Sequence, residues 1–144
     1  MHKFSGILSV LLIVACILPG HATAEAADSP HVAIELNAVD AVEGSCRLSF
    51  LIQNGHDADI TQAVYEAVLF DTDGRVALLT LFDFGTLPAG RPRVRQFVVP
   101  GQDCAGLGRL LINGAETCAG AGVPVGACTT GLRLRSRTKL EVLG

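Results

Sequence analysis

The stretch AVLFDTDGRV, residues 67–76, decides the fold, because it fits two architectures. An apolar run ending in Asp71-Thr72-Asp73-Gly74 is either a buried strand that presents two carboxylates to a substrate, or the first arm and tip of a β-hairpin. In the first case Asp71 is a nucleophile and Asp73 an acid or base. In the second, Asp side chains accept hydrogen bonds from nearby backbone N–H groups and Gly74 supplies the positive φ of a tight turn. The residues on either side choose between them.

VLFDTDGRV resembles the first motif of the haloacid dehalogenase-like hydrolases, a resemblance that implies phosphatase chemistry at Asp71 and Asp73. That chemistry also needs a cation for the phosphoryl group and further carboxylates for Mg²⁺, supplied by later strands of a parallel α/β sheet. After Asp73 the only lysine is Lys139, and the acids Asp83, Asp103, Glu116 and Glu141 stand isolated. The strand-then-helix alternation such a sheet requires is missing as well. A calcium loop starting at Asp71 fails on its ligands, with Arg75 at one oxygen position and Phe82 where the closing Glu belongs. The hairpin is therefore the expected reading, with no catalytic residue, no metal and no other cofactor.

Working outward from the turn, apolar segments alternate with turn residues along the chain. HVAIELNAV (31–39), CRLSFLIQ (46–53), ITQAVYEAVLF (60–70), RVALLTLFDF (75–84), RPRVRQFVV (91–99), LGRLLING (107–114) and GLRLRSRTKLEV (131–142) read as strands. They are separated by signals such as Asn54-Gly55, the DTDG turn and Pro100-Gly101. In the last segment Leu132, Leu134, Leu140 and Val142 share one face, with Arg133, Arg135, Arg137, Lys139 and Glu141 on the other. That period of two belongs to a strand and would be scattered around a helix. About seven short strands without an amphipathic helix predict an all-β, immunoglobulin-like antiparallel sandwich over residues 32–144.

The first residues carry an export signature. Lys3, an apolar run from Ile7 to Leu18, Pro19-Gly20 and Ala22-Thr23-Ala24 follow the order that signal peptidase reads, so residues 1–24 are expected to be a signal peptide and 25–31 a polar leader. The alternative is a bacterial lipoprotein anchored through Cys16, which follows Ile13-Val14-Ala15. Either route puts the chain in the periplasm, at the membrane surface or outside the cell.

Without the signal, Cys46, Cys104, Cys118 and Cys128 remain. An even number in an exported chain argues for disulfides, and the lack of any CxxC spacing argues against zinc. If successive strands run antiparallel, Cys46 at the start of the second and Cys104 after the fifth lie at one end of the sandwich. Cys118 after the sixth and Cys128 before the seventh lie at the other. The expected bonds are Cys46–Cys104 and Cys118–Cys128.

LIQNG, AVLFDTDGRV and LPAGRPRVRQF together resemble the FxLyD-type domain and related exported bacterial sandwiches, over roughly residues 47–99. The resemblance implies an extracytoplasmic β-sandwich with no catalytic residues to carry over. The four cysteines and the basic final strand depart from it.

Charge is unevenly spread. Residues 25–74 hold ten acids and one base, whereas residues 75–144 hold nine bases and four acids. Seven of the later bases fall in two strands, Arg91, Arg93 and Arg95 in one and Arg133, Arg135, Arg137 and Lys139 in the other. They form a candidate patch for an anionic partner: another envelope protein, or lipid headgroups met peripherally. Nucleic acid is not expected, since the net charge is negative and a single tyrosine makes no stacking platform. Nucleophilic catalysis lacks a base placed beside a serine, His31 and His56 being the only histidines of the mature chain. The Gly/Ala-rich stretch 105–127 reads as a loop-rich end suited to partner contact. The functional expectation is an exported, non-catalytic binding or assembly module; an accessory subunit or chaperone of a membrane complex is the alternative, and an enzyme using Asp71 and Asp73 the third reading.

Overall fold

The computed structural model describes residues 28–144; the expected signal peptide over 1–24, its expected cleavage site and the alternative anchor Cys16 lie outside the described residues. Eight strands form two four-stranded sheets packed face to face. The first has the order β5-β2-β1-β7, with β1 Val32–Val42, β2 Ser45–Asn54, β5 Arg93–Val99 and β7 Arg133–Ser136. The second has the order β4-β3-β6-β8, with β3 Ile60–Asp71, β4 Val76–Leu87, β6 Leu107–Ala119 and β8 Glu141–Leu143.

The period-two pattern produces the core directly. Val32, Ile34 and Leu36 of β1 and Leu48, Phe50 and Ile52 of β2 face Ala63, Tyr65, Ala67 and Leu69 of β3 and Phe82 and Phe84 of β4. Phe50 stands at the centre of an aromatic cluster, with Phe82 and Phe84 both at 5.5 Å and Phe97 at 6.0 Å. Edge-to-face and offset contacts of this kind add to the area the rings bury.

The DTDG segment is a hairpin turn between β3 and β4. The Asp71 Oδ1 accepts from the backbone N–H of Asp73 at 3.0 Å and of Arg75 at 2.8 Å, and Gly74 takes φ +81°. Both expected disulfides are present, with Cα separations of 4.9 Å for Cys46–Cys104 and 6.0 Å for Cys118–Cys128.

Four expectations need correction. The final basic segment is two strands in different sheets: β7 runs parallel to β1 and β8 parallel to β6, so the sandwich is mixed and not wholly antiparallel. The chain crosses between sheets through Ser136 and Thr138, whose hydroxyl oxygens accept from the N–H groups of Thr138 and Leu140, both at 3.1 Å. Alternation survived the crossing because Leu140 returns to the core. The stretch 105–127 is less loop-rich than expected, since β6 runs over Leu107–Ala119 and so extends beyond the predicted 107–114. Asn54-Gly55 is not a tight hairpin but the start of a crossover from the first sheet to the second. Asn54 is fully buried; its Nδ2 donates to the carbonyls of Ala58 and Leu87 at 2.9 Å each, and its Oδ1 accepts from His56 N–H at 3.0 Å. The fourth correction concerns the arginines.

Candidate interaction surface

The two basic strands do not make one patch. β5 and β7 are the opposite edges of the first sheet, three strand spacings or about 14 Å apart. Arg93 and Arg95 share with Phe97 and Val99 the side of β5 that turns toward the other sheet. Arg95 closes that side of the sandwich: its Nε donates to the Phe84 carbonyl at 2.8 Å and its Nη2 to the Thr86 carbonyl at 3.3 Å, both on β4. Its guanidinium thus caps strand-edge carbonyls, the role that lies nearest to a side chain pointing inward at an open sheet edge. Arg91 precedes β5, in the turn closed by its own N–H on Pro88 O at 3.2 Å.

At the other edge Arg133 and Arg135 point outward from β7. Arg133 forms a two-pronged pair with Asp28, at 2.9 and 2.8 Å, which holds the Asp28 carboxyl below its ordinary range. Arg137 lies 3.8 Å from Glu35. Arg135 is in register with Glu35, and Lys139 lies in the crossing between β7 and β8. Of the seven cations, then, three sit along one short edge, two of them within ion-pair distance of an acid and the third in register with Glu35.

The far end carries a pinned loop. Tyr65 is fully buried and its hydroxyl donates to the Cys128 carbonyl at 2.8 Å, while the His56 ring meets the Ala127 carbonyl at 2.9 Å. With the Cys118–Cys128 bond, these contacts fix the segment after β6, leaving Val125 fully exposed at its tip.

The surface that the sequence reading overlooked is the outer face of the second sheet. Leu79 of β4 is in register with Val68 of β3, Val68 with Leu111 of β6, and Leu111 with Leu143 of β8. One ladder row is therefore apolar across all four strands, on the side away from the core. Val76, Leu79 and Leu81 are 64%, 57% and 51% exposed. Charges stand around this area: Glu66, which accepts from Asn113, Asp83, and Arg109 in register with Glu141. The signal was present in Val76-Ala77-Leu78-Leu79-Thr80-Leu81-Phe82, where both parities of a strand are apolar. Such a run usually marks a strand covered on both faces, yet here one face is open.

Two disulfides within one chain fit an oxidising, non-cytoplasmic compartment. Among the described residues no helix is long and apolar enough to cross a membrane, and no group of three or more His, Cys, Asp or Glu side chains is placed to hold a metal. The architecture defines an all-β sandwich of two four-stranded sheets. It is similar to the solved structure of IrmA from Escherichia coli, with a TM-score of 0.56 and 11% identity over 74% of this chain and 92% of that one, a likeness of fold alone. No family model and no curated protein matches the chain.

Proposed function

We propose that this chain is an exported, non-catalytic binding or assembly module of the bacterial envelope, periplasmic or secreted, that docks a protein partner on the outer face of its β4-β3-β6-β8 sheet. The observation that carries the reading is the apolar row Leu79, Val68, Leu111 and Leu143 with Val76 and Leu81 beside it. Single exposed apolar side chains are ordinary, but here Val76, Leu79 and Leu81 stand exposed together on β4 beside half-buried Leu111 and Leu143 and buried Val68, and a group of that kind framed by charges is how interaction sites differ from the rest of a surface. The export signature, the disulfides and the FxLyD-like resemblance support placement outside the cytoplasm. The Asp71 carboxylate, taken up by the N–H groups of its own turn, gives the phosphatase reading little support.

A second reading, an accessory subunit docked through its basic edge, draws on Arg135 and Lys139, which have no ion-pair partner among the described residues. A photo-crosslinking residue placed at position 79, 81 or 135 of the full chain, expressed in a bacterial envelope, distinguishes the two. Protein adducts from 79 and 81 are expected. Adducts from 135 alone favour the basic edge, and no adduct from any position removes the binding-module reading.

A further inference from the structure

Asparagine followed by glycine occurs twice, at Asn54-Gly55 and Asn113-Gly114. In such a pair the backbone nitrogen of the glycine attacks the side-chain amide carbon of the asparagine, because glycine has no Cβ to shield that nitrogen and leaves the backbone free to turn. Ammonia leaves and a five-membered succinimide forms. Water then opens the ring at either carbonyl, giving aspartate or isoaspartate, so the net change is amide plus water to carboxylate plus ammonium. By sequence the two pairs are equally reactive; the fold separates them.

Asn54 is locked. It is fully buried, its Nδ2 donates to the Ala58 and Leu87 carbonyls at 2.9 Å each, and its Oδ1 accepts from the His56 N–H. The nucleophile is engaged as well: the Gly55 N–H donates to the His31 carbonyl at 2.9 Å, and that oxygen stands 2.7 Å from where a Cβ of residue 55 would lie. Asn113 is placed differently. It is exposed, and it is the extra residue of a β-bulge, since Ala67 pairs with Ile112 and Glu66 with Gly114. A bulged residue has no partner across the ladder, which is locally disrupted there. On the other side β8 pairs with β6 only over Arg109–Leu111, so among the described residues no strand holds Asn113 or Gly114 from that direction. Apart from its chain neighbours, nothing lies within 4 Å of the place a Cβ on Gly114 would occupy. The Asn113 side chain donates to the Glu66 carboxylate at the surface, a bond that water replaces at little cost when the side chain rotates.

From this we infer that Asn113 is a site of spontaneous deamidation in the folded chain, and that Asn54 is not. The product sets a second carboxylate where an amide donated to Glu66, replacing a hydrogen bond by repulsion between like charges on neighbouring strands. Glu66 is in register with Leu81, so the new charge falls at the rim of the face proposed above for docking. The modification depends only on the geometry at Asn113 and stands whether or not that face binds a partner.

The test is peptide mapping by mass spectrometry of the mature, disulfide-bonded chain, incubated in mildly alkaline buffer made with heavy-oxygen water, beside a reduced, urea-unfolded control. Cleavage after arginine puts Asn54 and Asn113 in separate peptides, Leu48–Arg75 and Leu110–Arg133. In the control both peptides should exchange an amide for an acid carrying a heavy oxygen, at similar rates. In the folded chain only Leu110–Arg133 should do so. Gly114→Ala, which the open space admits, should keep Asn113 an amide over the period that converts the wild type, with the far-UV dichroism unchanged. An Asn113 that stays intact in the folded chain over the time that converts it in the control, or an Asn54 converted as fast as Asn113, overturns the inference. Asn113→Asp reads the consequence: its urea midpoint should fall below that of the wild type, and the fall should shrink in a Glu66→Gln background. An equal fall in both backgrounds overturns the assigned repulsion.

Discussion

Tyr65 is the chain's single tyrosine, and there is no tryptophan, so the phenolate absorbance band reports one side chain. That side chain is fully buried, with its ring 5.6 Å from Phe84 in an edge-to-face contact and its hydroxyl donating to the Cys128 carbonyl at 2.8 Å. Burial pushes the phenol up from its ordinary 10.0, because the ionised form would lose its hydration. In the unfolded chain the phenol ionises near its ordinary value, so above it unfolding releases a proton. A group whose folded value is raised contributes stability that is complete below the unfolded value and is lost as pH rises beyond it. With the folded phenol held neutral, the loss is about 1.4 kcal/mol at about pH 11 and about 2.7 kcal/mol at about pH 12. Urea unfolding across this range, for the wild type and Tyr65→Phe, measures it. Tyr65→Phe should cost about 1–2 kcal/mol near neutrality, since it leaves the Cys128 carbonyl without its donor. Its stability should then fall less steeply with alkali than that of the wild type. In the wild type, phenolate absorbance should rise only as the far-UV dichroism is lost. A phenolate midpoint close to 10 in a chain whose dichroism is intact would refute the placement of Tyr65.

Three further outcomes follow from the crossover, the disulfides and the amino-terminal edge. Asn54→Ala removes two donated bonds and one accepted bond, for an expected loss of about 3 kcal/mol or more by urea denaturation; Asn54→Asp should be no more stable, because it sets a carboxylate against the Ala58 and Leu87 carbonyls. Replacing Cys46 and Cys104 by Ser should lower stability by about 4 kcal/mol against about 3 kcal/mol for the Cys118 and Cys128 pair, since the first bond closes a separation of 58 residues and the second one of 10. Asp28→Asn should speed amide exchange in β7 while leaving the global urea midpoint in place, as exposed ion pairs contribute little. In the wild type the same loosening should appear as pH falls below the ordinary 3.8, because the Arg133 guanidinium lowers the Asp28 value and the pair persists until that carboxyl is protonated.

Strands β1 to β6 were legible because alternation along HVAIELNAV or CRLSFLIQ depends only on local spacing, and the disulfide pairing followed from strand direction. What was not legible is which face each parity presents and which strands are neighbours. Arg93 and Arg95 alternate as well as Arg133 and Arg135 do, yet one pair turns toward the opposite sheet and the other toward solvent. Only the position of β5 at an edge, with β4 carbonyls within reach, makes an inward arginine tolerable. The splitting of the last segment is equally silent, since a crossing that returns Leu140 to the core keeps the period of two intact. Asn54 looked like a turn residue because its type suits turns. Its burial and three side-chain bonds depend on His56 and Ala58 of the loop that follows and on Leu87, which β4 brings in from the other sheet.

The uneven charge of the sequence now has an explanation within the fold. The acidic first half and basic second half meet where β7 returns to lie parallel with β1, placing Arg135 in register with Glu35, Arg137 3.8 Å from Glu35 and Arg133 on Asp28. Each exposed pair is worth little in stability, so their contribution lies elsewhere. β7 has four residues, and a slip of two along β1 would still turn a side chain of the correct parity inward, so the apolar pattern alone does not fix its register. The two-pronged Arg133–Asp28 contact is lost in such a slip, as is the bond from Arg137 N–H to the Leu36 carbonyl at 2.9 Å. Charge at this edge therefore selects the alignment of a strand too short to select its own. Because that charge is answered largely inside the chain, the anionic-partner reading loses ground, and the surface with the largest unmet demand is the apolar one beside β4.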